Sequence, residues 1–241
     1  MCKLGINIDH VATLRNARGQ SHPDPLEAAI ILKECKVDSI TMHLREDRRH
    51  IKDKDIFLIK DKVDLPINLE IAPTEEMTKI AIDLNPRSVC FVPEKRMEIT
   101  TEGGLNVKSN MIKIERLLNL FSSSKIKVAC FIEPDFNQID SLKSLGIKIL
   151  EFHTGSYADA KTTKIIENKL SLIQEAAKYA TKLGFDCHAG HGLNYKNVFN
   201  IASIKEIKEL NIGHFIIGES IFSGLKNSIL KMKDIINSAK K

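Results

Sequence analysis

The 241-residue sequence predicts a single (β/α)8 barrel, a TIM barrel with extra helices, with residues 1–241 as one domain. Three observations carry this. Eight short apolar runs alternate with helically spaced segments along the whole chain, the pattern of repeated β-then-α units. The first run is followed by DHVATLRNARG, not by the G-x-G-x-x-G loop expected of a nucleotide-binding open sheet. No linker, low-complexity segment or shift in composition divides the chain.

The strand-like runs are LGINI (4–8), SITMHL (39–44), INLEI (67–71), SVCFV (88–92), KVACFI (127–132), KILEFH (148–153), FDCHA (185–189) and HFIIG (214–218). They are short and rich in apolar residues, as strands buried on both faces must be. Helical spacing marks 25–35, 53–62, 74–84, 110–121, 135–145, 162–183 and 198–210, and a last helix from about 219 to 238. Thr74 precedes Glu75 and Glu76, an acidic first turn that complements the helix dipole. Gly146 and Gly184 stand where helices should stop. The segment 151–183 exceeds one βα unit, so an extra helical piece is expected there.

Composition narrows the function. Hydrophobic residues make 43% and charged residues 28%, ordinary for a globular chain. The +5 net charge is mostly lysine spread along helices, and aromatics are only 5% with no Trp. That argues against a nucleic-acid surface and fits a mild positive field for small phosphorylated substrates. No apolar run approaches the roughly 20 residues of a membrane helix, and MCKLGINIDH has no apolar signal segment. Five cysteines, odd in number and without a C-x-x-C pair, suggest free thiols in a reducing compartment. The expectation is a cytoplasmic protein with no membrane partner.

In a barrel, catalytic groups come from the C-terminal strand ends. Those ends offer Asn7, Asp9 and His10; His43 and Arg45; Glu70; Glu133; Glu151 and His153; Cys187, His188 and His191; and Gly213, His214, Gly218 and Glu219. Six of the eight histidines lie at or beside strand ends, and His22 and His50 fall in loops at the same face. One such histidine alone is more often a hydrogen-bonded structural residue than a functional one. Glu70 in NLEIA and Glu151 in KILEFH are sharper, because a carboxylate in an apolar strand is costly unless paired or employed. Asp47, Arg48 and Arg49 read as a local ion-pair network, and Cys187 as a buried thiol before a nucleophile. HAGHGLN (188–194) and NIGHFIIGES (211–220) place glycines and a helix start after strands 7 and 8, where barrels commonly hold phosphate. Arg18, Arg45, His50 and the pair Thr100-Thr101 suit a second anion. The stretch 94–107 is long for a βα connection, and its Gly103-Gly104 pair and threonines suggest a lid.

Taken together, NIDHVATLRNARG, HLREDRRHI, NLEIAPTEEM, VPEKRMEITTEGGL, EFHTGSYADA, AGHGLNYKNV and LNIGHFIIG closely resemble the pyridoxine 5′-phosphate synthase family, from residue 5 to about 225. The resemblance implies a transferase of vitamin B6 biosynthesis. It condenses 1-deoxy-D-xylulose 5-phosphate with 3-amino-1-hydroxyacetone 1-phosphate to pyridoxine 5′-phosphate, phosphate and water. It also implies no metal or organic cofactor, two phosphorylated small-molecule partners and a homo-octamer built from dimers. By motif, His43 matches a first general base, Glu70 a second, His191 the general acid and Glu151 a transition-state stabiliser. Asn7, Arg18, Gly192, Gly213 and His214 match the aminoketone phosphate site. Asp9, His10, Arg45, His50 and Thr100 match the deoxyxylulose phosphate site. His188 stands where many members have Asn, and Ser156 where many have Cys.

The rival is a metal-dependent TIM-barrel hydrolase or isomerase, with ligands from His10, His153, His188 and His191 and from Glu70 or Glu151. Against it, the chain has no H-x-H at the first strand and no H-E-x-x-H. A non-catalytic binding barrel would leave many titratable groups crowded to no purpose.

Overall fold

A computed structural model describes residues 2–94 and 103–239. Its strands are β1 (Lys3–Asn7), β2 (Ser39–His43), β3 (Ile67–Ile71), β4 (Ser88–Phe91), β5 (Lys127–Ile132), β6 (Ile149–His153), β7 (Asp186–Gly190) and β8 (Ile207–Ile212). They pair in parallel in sequence order and close, β8 against β1. The helices are α1 (Asp9–Arg18), α2 (Pro25–Glu34), α3 (Asp53–Lys62), α4 (Glu75–Leu84), α5 (Val107–Leu120), α6 (Phe136–Ser144), α7 (Gly155–Ala158), α8 (Thr163–Lys182), α9 (Val198–Ala202), α10 (His214–Ser223) and α11 (Leu225–Ser238). No described helix is long and apolar enough to cross a membrane.

Strand alternation sorts side chains into two environments. One set, including Leu4, Ile6, Ile40, Met42, Leu69, Phe91, Leu150, Phe152 and Leu210, joins the main core under the helices. The opposite set fills the barrel. There a small apolar cluster of Cys90, Val92, Ala129, Phe131 and Ile149 occupies one side. The rest of the interior is polar and internally hydrogen-bonded, as buried polar groups must be. Thr41 Oγ1 donates to Asn211 Oδ1 (2.9 Å), and Asn211 Nδ2 donates to Glu151 Oε2 (2.6 Å). Ser39 Oγ and Arg87 Nη2 each donate to Glu209, both at 2.9 Å. Gly5 is needed on β1 because a Cβ there would collide with Asn211 Oδ1 and Ser39 Oγ.

Helix starts follow the sequence signals. Thr74 accepts Met77 N–H, and Asp135 accepts Gln138 N–H at 3.1 Å. Gly146 (φ 73°) and Gly184 (φ 88°) take the left-handed turn after α6 and α8. The extra piece expected after β6 is α7.

Three expectations are corrected. The eighth strand is Ile207–Ile212, not 214–218, and HFIIG is the first half of α10. The helix expected over 198–210 is only the five-residue α9. The last helix is two, α10 and α11, parted by Gly224 at φ 80°. Helix α1 had no counterpart in the sequence reading.

Candidate active site

β1 ends at Asn7 and the chain turns at once into α1, whose first residue is Asp9. Asn7 clamps that turn: its Oδ1 accepts Asp9 N–H (2.9 Å) and its Nδ2 donates to Asp9 Oδ2 (2.8 Å). The other carboxylate oxygen accepts His43 N–H (2.9 Å), tying β1 to the end of β2. Burial raises the Asp9 carboxyl above its ordinary range, and His43 and these hydrogen bonds oppose the rise.

His43 is 5% exposed, and its Nε2 lies 3.5 Å from Glu94 Oε2. Arg45, more buried still, sets its Nε 3.6 Å from both Glu94 Oε1 and Asp47 Oδ1. Burial would raise Glu94, but His43, Arg45 and the Glu46 N–H hold it below the usual carboxylate value. His50 stands with its ring 5.8 Å from that of His43 and accepts Ile51 N–H on Nδ1 (2.9 Å). Burial, then the neighbouring His43 and Arg45, push it down to about 3. It is therefore neutral at physiological pH, with the proton on Nε2. His10 packs edge-on against His214 at 4.7 Å, and burial followed by His214 pushes it down to about 4. His10 Nδ1 is buried with no hydrogen-bond partner among the described residues, and His43 Nε2 has only the long 3.5 Å approach to Glu94 Oε2.

Across the mouth stand two carboxyls. Burial, then Glu151 and Asp9, lifts Glu70 well above its usual value. Burial pushes Glu151 up to about 7, against the pull of His188 and Asn211. Gly190 gives Glu151 its space, since a Cβ there would come within 2.5 Å of Glu151 Oε1.

His191 follows β7 at φ 81°, a strained conformation for a residue with a side chain. Thr154 Oγ1 holds it by donating to the carbonyls of His191 (2.5 Å) and Gly190 (2.8 Å). Its ring packs edge-on to His153 at 4.9 Å. Enclosure of the ring, then His153, lowers its pKa. Gly192 is also left-handed (φ 77°) and packs against Ala158. Gly213 lets β8 pass close to β1, since a Cβ would meet Asn7 Cβ at 2.7 Å. α10 starts one residue later at His214, so its first turn offers unpaired N–H groups and the positive dipole end at the mouth.

The fold thus gathers Asn7, Asp9, His10, His43, Arg45, His50, Glu70, Glu151, His191, Gly192, Gly213 and His214 at one end. Arg18 is exposed on the last residue of α1, and its side chain makes no hydrogen bond or ion pair to these candidates among the described residues. Thr100, Thr101 and most of the expected lid lie outside the described residues. Cys187 faces α8, near Thr181 and the Ala177 carbonyl, and burial raises its thiol to about 11. It is an unreactive core thiol, as are the other four buried cysteines. The expected ion pairs form as two separate sets: Asp47 pairs with Arg49 and Arg45, and Arg48 pairs with Asp53 and Glu76. Sequence reasoning gave no role to Glu94 or Asn211. The signal for Glu94 was its place three residues after β4; Asn211 was hidden by the misplaced eighth strand.

One described set has donor spacing for a metal: a carboxylate oxygen of Asp9 and ring nitrogens of His43 and His50 lie within 4.8 Å of one another. Both Asp9 oxygens are already hydrogen-bonded, and the Arg45 guanidinium acts on Asp9 and His50. The positive charge of that guanidinium opposes a cation there. The ligand set considered for a metal hydrolase does not converge. His10 pairs with His214, His153 with His191, and His188 lies beside Glu151 and Glu209 in the strand register.

A closed parallel barrel that crowds acids, bases and a helix start at its C-terminal mouth defines a barrel enzyme. Residues 4–238 match the family described as pyridoxal phosphate biosynthesis protein PdxJ, and the chain belongs to that family. It is 50% identical over 237 residues to pyridoxine 5′-phosphate synthase of Rhodospirillum rubrum, covering 98% of this chain and 95% of that one. It is 52% identical to the enzyme of the same name from Wolbachia pipientis subsp. Culex pipiens, covering 98% and 99%. Among solved structures, 3-keto-L-gulonate-6-phosphate decarboxylase from Vibrio cholerae shares the fold, with a TM-score of 0.68, 11% identity and coverage of 100% and 99%.

Proposed function

We propose that this enzyme of vitamin B6 biosynthesis closes the pyridine ring. It condenses 1-deoxy-D-xylulose 5-phosphate with 3-amino-1-hydroxyacetone 1-phosphate and releases pyridoxine 5′-phosphate, phosphate and water. The observation that carries this reading is the combination at one mouth of two carboxyls held toward their protonated form, Glu70 and Glu151, with an enclosed His191 whose pKa is lowered. Groups with separated pKa values can serve successive proton transfers without moving the substrate. The reaction needs several: amine attack on a ketone, loss of water, elimination of phosphate, and ring closure by a carbon nucleophile. In this reading His43 is the first base, with Glu94 beside it. Glu70 is the second base, His191 the acid, and Glu151 steadies charge in the transition state. The Gly213–His214 helix start and the Gly192 turn, with Asn7 and Arg18, take the aminoketone phosphate. Asp9, His10, Arg45, His50 and Thr100 take the deoxyxylulose phosphate.

The test is formation of pyridoxine 5′-phosphate and phosphate from the two substrates by the purified chain. His43→Asn and His191→Asn should each lower turnover by roughly 10² to 10⁴ with unchanged melting temperature. No product from the wild-type chain, or full turnover in either variant, would overturn the reading or that residue's role.

A further inference from the structure

Two buried or half-buried groups beside the site have no role in the mechanism above. His153, the last residue of β6, is 8% exposed, and its Nδ1 lies 2.6 Å from Glu133 Oε1. The same oxygen accepts Gly104 N–H at 2.9 Å. Glu133 follows β5 directly. Burial would raise its carboxyl, but His153 and the Gly104 N–H hold it below the usual value, so it is ionised at neutral pH. An ionised carboxylate only accepts hydrogen bonds. His153 is therefore fixed with its proton on Nδ1, and its ring plane is set by Glu133 on one side. On another side Phe131 packs edge-on at 5.2 Å. The remaining face meets His191, ring to ring, at 4.9 Å. Gly155 allows this closeness: a Cβ there would collide with His153 Nε2 and come within 3.1 Å of His191 Cδ2.

We infer that Glu133 and His153 are positioning residues for His191. Glu133 fixes the tautomer and plane of His153, and the His153 ring sets the orientation of the His191 ring, whose backbone is already strained. The same carboxylate clips the chain at Gly104, and Leu105 N–H then bonds Phe131 O at 2.7 Å. The end of β5 thus ties the Gly103–Leu105 backbone to the acid at the end of β7. The inference rests on the reading of His191 as the general acid.

Four titratable neighbours act on His191: Asp159 and Glu133 raise its pKa, while His153 and His214 lower it alongside burial of the ring. The pair therefore has a signature of opposite signs. The experiment is an NMR pH titration of isotope-labelled histidine in the full chain, with His191 assigned through His191→Asn, together with steady-state kinetics. Glu133→Gln keeps the shape and an acceptor oxygen but removes the charge. It should move the His191 titration down by on the order of half a pH unit. It should also lower kcat by about 10- to 100-fold with KM little changed, the effect of a misplaced group. His153→Asn should move the titration up and lower kcat similarly. The titration shifts report only that both groups face the His191 ring; positioning is read from kcat falling at unchanged KM, and a kcat within about twofold of wild type in both folded variants overturns the inference. An unmoved His191 titration in both folded variants overturns the inference. If Glu133→Gln does not fold, the fall in kcat of His153→Asn at unchanged KM decides. The titration is read in the free chain, so it stands apart from the assignment of His191. That assignment fails separately if His191→Asn keeps full turnover.

Discussion

Glu151, proposed above to steady charge in the transition state, works against stability where it stands. Its carboxyl is 3% exposed and is pushed by burial from about 4.5 to about 7. A carboxyl raised in the folded chain imposes no penalty below 4.5, where it is protonated folded or unfolded. The relative stability it has there is lost as pH rises through about 7, because the buried form must ionise. Glu151→Gln retains an acceptor for Asn211 Nδ2 and removes the ionisation. The variant should melt at the same temperature as the wild type at pH 4. At pH 8 it should melt higher, by about 2–4 °C for each kcal/mol regained, while losing turnover. Thermal melts at the two pH values check this, and an equal difference at both would sink the argument. Glu70 carries the same logic, with Glu151 and Asp9 as further causes of its rise. These two carboxylates were legible in the sequence because a charge inside an apolar strand must be explained. Glu94 was not, because a glutamate just beyond a strand end looks like any solvated loop residue; only its distances to His43 and Arg45 give it meaning.

At the scale of elements, the His50 side of the mouth, proposed above to take deoxyxylulose phosphate, is held by α1 and α3. Arg15 on α1 makes a two-pronged pair with Asp55 on α3, both bonds 2.8 Å, with the side chains 6% exposed. Asp55 also accepts Lys52 N–H (2.9 Å), and Asn16 Nδ2 donates to the His50 carbonyl (2.8 Å). Removing one partner of a buried pair costs about 3–5 kcal/mol, since the other charge is left uncompensated. Asp55→Asn should therefore lower the melting temperature by roughly 10 °C and raise KM for the deoxyxylulose phosphate. A melting temperature within about 2 °C of wild type would show that the pair is not what fixes His50. α1 escaped the sequence reading because its apolar stripe is thin: besides Asp9 and Arg15, only Val11 and Ala12 are buried. The eighth strand escaped for the opposite reason. IKELNI carries Glu209 and Asn211 into the barrel, 2% and 5% exposed, so the true strand looks polar. HFIIG looks like a strand because its β-branched run is short and apolar, yet only Ile216 and Ile217 of α10 are buried.

For the whole molecule, closure of eight strands was legible because the alternation of elements admits few topologies. The polar filling of the barrel was not, since each inward residue is separated in sequence from its partner; Ser39 and Glu209 are 170 residues apart. Acid–base groups alone suffice for the steps proposed, so exhaustive chelation of the purified chain should leave its turnover unchanged. Loss of activity that one metal ion restores would revive the hydrolase-like reading through Asp9, His43 and His50. Assembly is the remaining property at this scale. The last turn of α10 presents Ile221 and Phe222 at 70% and 87% exposure, and α5 presents Ile112 at 86%. Single exposed apolar residues need no explanation, but two adjacent large ones on one helix end mark a surface that gains by being covered. The family resemblance implies a homo-octamer built from dimers, and we propose that this turn lies in one of its interfaces. Sedimentation should then give a mass near eight times 27.1 kDa for the wild type. Phe222→Glu should shift the distribution to smaller species, while the folded barrel keeps its circular dichroism, because the side chain is outside the core. A wild type that sediments at 27.1 kDa would end the expectation of an octamer. An octamer undisturbed by Phe222→Glu would place the contacts elsewhere on the helices.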